Sequence, residues 1–75
     1  MSETLQNTFA TSFEIAWDYL EATGKLGNPD TAARHLLDSI ETMLRRGERR
    51  HLALSNKAIA AYLRFREEQS LSLAS

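Results

Sequence analysis

The chain has 75 residues, of which 43% are hydrophobic and 8% aromatic, and it contains no cysteine. This length allows one domain, and the ordinary hydrophobic share argues against a disordered chain. Without cysteine, a disulfide framework and a thiolate metal site are both excluded. Small domains that lack such cross-links often gain stability by associating, so we expect a homo-oligomer.

The sequence contains no hydrophobic run of the about 18 residues that a membrane span requires. Its first four residues also lack the basic and apolar regions of a secretory signal. We therefore expect a cytoplasmic protein that makes no contact with a membrane.

The formal net charge is −1, but the charges are unevenly distributed. Residues 1–41 carry seven acidic and two basic side chains, whereas residues 42–66 carry seven basic side chains and only one acidic one, Glu48. This asymmetry predicts either an acidic partner for the basic part or association between copies of the chain.

The first segment, at about residues 3–23, has hydrophobic residues at spacings of three and four, which predicts a helix. This row consists of Leu5, Phe9, Phe13, Ala16, Trp17 and Leu20. A second apolar row of Ile15, Tyr19 and Ala22 lies beside it, so the apolar surface is wider than one neighbouring helix would cover. Gly24 is placed to end the helix.

The surplus apolar surface on the first helix predicts an interface. Large apolar patches on small proteins are commonly binding sites, and aromatic side chains are enriched in them. We therefore expect a homodimer formed through this helix. Its predicted interface residues are Phe13, Ile15, Trp17, Tyr19 and Leu20.

The second segment predicts a helix over about residues 29–46. Asn28 can cap the free amides, and Pro29 suits the first helical position because it has no amide to satisfy. Gly47 follows the last turn and ends the helix. The amphipathic stripe of this helix consists of Ala33, Leu36, Leu37, Ile40, Met43 and Leu44.

The third segment has two possible starts. The helix could resume near Glu48, at about residue 49, or begin at Ser55, with Leu54 and Ile59 forming a hydrophobic staple. It is expected to end near residue 69, because residues 70–75 carry no charge and predict a frayed tail. Three amphipathic helices joined by short turns predict an all-α fold, a small antiparallel three-helix bundle that spans residues 1–75.

Residues 54–63, Leu-Ser-Asn-Lys-Ala-Ile-Ala-Ala-Tyr-Leu, resemble the first helix of the helix-turn-helix in LuxR-type response regulators. A Leu-Ser-Asn-Lys-x-Ile-Ala run is common there, and the resemblance covers ten of the 75 residues. In that family a turn and a recognition helix follow and read DNA in the major groove. Here residues 64–69 follow without a turn, so the element that would read DNA is missing.

Positive charge is concentrated around the connection between the second and third segments, and we call the basic residues there the basic elbow. These are Arg45, Arg46, Arg49, Arg50, His51 and Lys57. The planar guanidinium of arginine suits phosphate and carboxylate groups. Three interpretations fit the elbow: a solvated helix end whose arginines pair with nearby carboxylates, a contact surface for an acidic protein, and a salt-dependent phosphate contact to nucleic acid.

No combination of residues indicates catalysis or metal binding. His35 and His51 are 16 residues apart without a further ligand at metal spacing, and Ser55 has no placed base. The acidic row of Glu14, Asp18 and Glu21 is typical of a solvated face, or of docking against arginines of this or another chain.

We therefore expect neither enzyme activity nor a cofactor or metal. The predicted function is that of a small regulatory or adaptor protein that acts through protein–protein interaction. It would self-associate through the aromatic residues of the first helix and bind an acidic partner at the basic elbow. The alternative is a nucleic-acid-binding accessory protein that contacts phosphates through the same elbow.

Overall fold

The structure is a computed structural model that describes the backbone of residues 2–74 and the side chains of residues 6–70. It has three α-helices: α1, Ser2–Ala22; α2, Pro29–Arg45; and α3, His51–Ala74. Each helix packs against the other two, and the described backbone forms no strand. The predicted all-α fold of three packed helices is confirmed. Over these residues, no helix has a segment both long and apolar enough to cross a membrane.

The core is formed mainly by every fourth residue of α1 and α2, because side chains at that spacing share one face of a helix. The buried residues are Thr8, Ser12, Ala16 and Leu20 on α1, and Ala32, Leu36, Ile40 and Leu44 on α2. From α3 the core receives Leu54, Ser55, Ala58, Ile59 and Tyr62. The buried row of α1 consists mostly of small residues, so its aromatic residues pack at the edge of the core instead of inside it.

The end of α1 and the start of α2 carry the glycine and asparagine signals that the sequence predicted. Gly24 has a φ of +71°, and the amide of Lys25 donates to the carbonyl of Leu20 at 2.9 Å, which is the hydrogen bond of a Schellman motif. The side chain of Asn28 caps α2 by accepting a hydrogen bond from the amide of Thr31 at 3.1 Å.

The third helix differs from the prediction at both ends. It begins at His51, two residues after the first of the two predicted starts, at about residue 49. The alternative start at Ser55 is wrong, because Ser55 is buried inside α3 and its hydroxyl donates to the carbonyl of Leu52 at 3.1 Å. The helix also continues past residue 69 to Ala74, since residues 70–74 contain no glycine or proline that would stop it. Of the predicted tail, residue 75 lies outside the described residues.

Two side chains of α3 hold the turn between α1 and α2. The hydroxyl of Tyr62 donates to the carbonyl of Leu26, and the guanidinium of Arg66 donates to the carbonyl of Lys25. Gly27 lies directly beneath them with a φ of +67°, and a Cβ atom at this position would be 3.2 Å from Cζ of Arg66. The position therefore requires glycine for both its backbone conformation and its contacts.

Candidate protein-binding face and basic elbow

The buried row of α1 has an apolar row on either side. One consists of Phe9, Phe13 and Trp17, and the other of Ile15 and Tyr19. Residues two apart are rotated by about 200° on an α-helix, so the two rows lie on opposite sides. The five residues predicted as an interface therefore do not form one surface. Leu20 is removed from the set because it is completely buried in the core.

Side chains of α1 and α2 together form what we call the α1–α2 face, defined by Phe9, Phe13, Trp17, Ala33 and Leu37. Phe13, Trp17 and Ala33 line one groove of about 470 Å³, and Phe9 lines a second groove of about 550 Å³ together with residues of α2. Leu37 lies one helical turn after Ala33, so it occupies the same row of α2, and it is 39% exposed. The face is thus an apolar strip between two helices.

Phe13 and Trp17 are two neighbouring aromatic side chains of the α1–α2 face. Their ring centroids are 5.6 Å apart and the ring planes are tilted by 34°. Both rings pack against the core on one side and remain partly exposed on the other. Such a supported aromatic pair is held in place before any partner arrives.

The two ends of the α1–α2 face carry opposite charges. Glu14 and Asp18 line the groove that contains Phe13 and Trp17, whereas Arg45, Arg49 and Glu41 line the groove that contains Phe9 and give it one net positive charge. Within residues 6–70, Glu14, Asp18 and Arg49 form no ion pair. Arg45 pairs with Glu41 at 3.3 Å, but both side chains are more than half exposed, and such surface pairs contribute little stability.

The basic elbow is divided between different sides of the molecule. Nη1 of Arg49 donates to the carbonyl of Leu44 at 2.7 Å and so satisfies one of the free carbonyls at the end of α2. Arg46 and Lys57 line a separate groove beside Glu48. The elbow therefore does not present its cations around a single anion site.

Glu48 organises the connection between α2 and α3. Its Oε2 accepts hydrogen bonds from the amides of Arg49 and Arg50, both at 3.2 Å, and from Nε of Arg50 at 3.0 Å. The side-chain hydrogen bond from Arg50 is the main reason that the pKa of Glu48 is lowered to about 2. In return, Glu48 raises the pKa of Arg50. This carboxylate orders the backbone of Arg49 and Arg50, immediately before α3 begins at His51.

The histidines and the acidic row form no metal site. The ring of His35 lies against Phe65, with the centroids 4.1 Å apart, whereas His51 is exposed at the start of α3. In the part of the chain that the structure describes, no three His, Asp or Glu side chains are grouped closely enough to hold a metal ion. Glu14, Asp18 and Glu21 are exposed along α1.

Three features of the site were missed by sequence reasoning. The exposure of Leu37 has a weak signal, since Leu36 and Leu37 are rotated by about 100° from each other on α2 and a narrow buried stripe contains only one of them. An acidic residue just before a helix, as Glu48 is, also indicates a cap. In contrast, the contacts of Tyr62 and Arg66 join residues 36 and 41 positions apart, and no local pattern predicts them.

No protein-family model matches this chain, and no curated protein or solved structure matches it significantly. The resemblance of residues 54–63 to LuxR-type regulators stays local, because these residues lie inside the continuous helix α3. Function is therefore inferred from the surface of the chain itself.

Proposed function

We propose that this protein is a small non-enzymatic regulatory or adaptor protein that binds another protein through the α1–α2 face. One observation carries the proposal: Phe13 and Trp17 stay partly exposed beside an open groove, although their other sides pack against the core. Aromatic side chains supply a large contact area at a low cost in conformational entropy, and they dominate many protein interfaces.

The shape of the α1–α2 face suits a helical partner. Trp17, near the end of α1, shares a groove with Ala33, near the start of α2, which supports the predicted antiparallel arrangement of these helices. A groove between two helices accepts the apolar side of a further helix, whose side chains at spacings of three and four enter it.

An acidic segment of the partner would meet the arginine end of the face. Arg45 and Arg49 border the groove with Phe9, so they form the part of the basic elbow that belongs to this surface. The nucleic-acid alternative would need most of the elbow cations on one surface. Arg45 and Arg49 instead line one groove, whereas Arg46 and Lys57 line another, and we therefore do not propose it.

A photo-crosslinking residue placed at Leu37 tests this proposal in cells that produce the protein. Leu37 lies in the face without being part of the buried core. We expect discrete covalent adducts with other protein chains, because a bound partner would lie against this position. Leu52 is the matched control, since it is a leucine on α3 with 68% exposure outside the face. The proposal fails if position 37 gives no adducts or the same adducts as position 52.

A further inference from the structure

The α1–α2 face is complementary to itself, and we propose that its partner is a second copy of this chain. This inference rests on the proposed function, because it names the partner of the same face. The two copies would be related by a two-fold axis, which is the commonest symmetry of small soluble oligomers.

The distribution of charge carries the inference. Consider a two-fold axis that lies in the plane of the face and runs perpendicular to the helices. This operation places the acidic end of each copy, Glu14 and Asp18, at the basic end of the other, Arg45 and Arg49. Groups of opposite net charge then face each other at both ends of the complex, two carboxylates against the net charge of +1 from Arg45, Arg49 and Glu41, and the apolar strip is covered along its length. Because the axis is two-fold, each favourable contact between an acidic and a basic side chain occurs twice in the dimer.

The acidic and basic side chains at the ends of the face favour such a contact already in the single chain. Glu14 and Asp18 are one helical turn apart on α1 and repel each other, so opposing cations would relieve that repulsion. The guanidinium of Arg49 is already held by the carbonyls of Leu44 and Glu48, at 2.7 and 3.0 Å. Little side-chain entropy is therefore lost when it binds a carboxylate of the second copy.

The side of the molecule that carries the α1–α2 face is close in size to one half of a typical dimer interface. The molecule measures 48 × 25 × 18 Å. Two adjacent helices, each about 10–12 Å wide and about 30 Å long, offer roughly 600 Å² in projection. Interdigitating side chains bury more surface than this projected area. The buried surface therefore approaches a typical stable interface, which has about 800 Å² per partner.

A charge-swap experiment tests this arrangement. One variant, Glu14→Lys with Asp18→Lys, makes the acidic end basic. The other, Arg45→Glu with Arg49→Gln, makes the basic end acidic, and glutamine keeps a donor for the Leu44 carbonyl. Each variant alone has like charges at both contacts, whereas a mixture of the two restores opposite charges at both. The mass is measured by sedimentation velocity over a range of concentrations, and circular dichroism checks that each variant is folded.

We expect the unmodified protein to sediment at twice the chain mass of 8.5 kDa. Each variant alone should dimerise about tenfold more weakly or worse, and the mixture should recover dimers close to the original affinity. Leu37→Asp should also abolish the dimer, whereas Leu52→Asp on α3 should leave it intact.

Three results would overturn the inference: a single-chain mass at every concentration, a mixture that does not recover, or loss of the dimer in Leu52→Asp but not in Leu37→Asp. A single-chain mass together with crosslinked adducts of another protein at position 37 would refute the second copy and keep the proposed function. A single-chain mass without any adduct would refute both.

Discussion

At the scale of single residues, alanine substitutions at Gly24 and Gly27 distinguish the cost of backbone strain from the cost of disturbed side-chain contacts. Both have positive φ, but an added Cβ meets Arg66 and Tyr62 at Gly27 and open space at Gly24. We expect Gly24→Ala to lower the free energy of unfolding by about 1–2 kcal/mol through strain alone. Gly27→Ala should cost about 1 kcal/mol more, because it disturbs the hydrogen bonds of Tyr62 and Arg66. Urea unfolding followed by circular dichroism measures both, and equal losses would contradict the described contacts.

Two buried serines form a second matched pair. The hydroxyl of Ser12 is completely buried and has no hydrogen-bond partner among the described residues, whereas that of Ser55 bonds to the carbonyl of Leu52. An unsatisfied buried hydroxyl costs about 1–3 kcal/mol. Ser12→Ala should therefore raise the Tm by roughly 4–8 °C for each kcal/mol gained.

Ser55→Ala should show no such gain, since it removes a hydrogen bond that contributes about 0.5–1.5 kcal/mol. Both melting curves are recorded at the same protein concentration, because association also raises Tm. A lower Tm for Ser12→Ala would show that its hydroxyl has a partner in solution.

At the scale of helices, the start of α3 depends on the carboxylate of Glu48. Its pKa is lowered to about 2 from an ordinary 4.5, so its stabilising effect is complete above about pH 4.5 and disappears as the pH falls towards 2. Glu48→Gln should be less stable than the original protein at neutral pH. The difference in Tm should shrink between about pH 4.5 and pH 2.

Glu68→Gln is the control for this experiment, because Glu68 is exposed on α3 and forms no ion pair within residues 6–70. The Tm of Glu68→Gln should differ little from that of the original protein at neutral pH. A stability difference for Glu48→Gln that stays constant down to about pH 2 would contradict the role of the carboxylate.

The helices differ in how well their limits could be predicted. The end of α1 and the start of α2 follow from local signals, namely Gly24, Asn28 and Pro29, which play these parts in the structure. The start of α3 depends on hydrogen bonds between Glu48 and Arg50 that helix periodicity does not reveal.

The buried side of α1 was also hard to predict, because several rows of this helix have helical spacing. The aromatic row of Phe9, Phe13 and Trp17 is more hydrophobic than the row of Thr8, Ser12 and Ala16 that the core contains. The same core also contains small residues of α3, such as Ser55 and Ala58. This choice depends on packing between helices, which the sequence of one helix does not determine.

At the scale of the whole molecule, the candidate site combines predicted and unpredicted parts. Phe13 and Trp17 were predicted as interface residues from their aromatic character, and the structure leaves them partly exposed beside a groove. The exposure of Leu37 and the opposite charges at the ends of the face were not predicted, because both depend on how α2 packs beside α1. The proposed two-fold contact depends on both parts.

Trp17 provides the most direct measurement of whether the face is covered, because it is the only tryptophan in the chain. Acrylamide quenching of its fluorescence is measured from dilute to concentrated protein. We expect the quenching constant to fall as the concentration rises, since a second copy would shield the indole, and to stay at its dilute value in Leu37→Asp. A quenching constant that is the same at every concentration, in a range where the protein sediments as a dimer, would contradict the central claim that the dimer forms through the α1–α2 face.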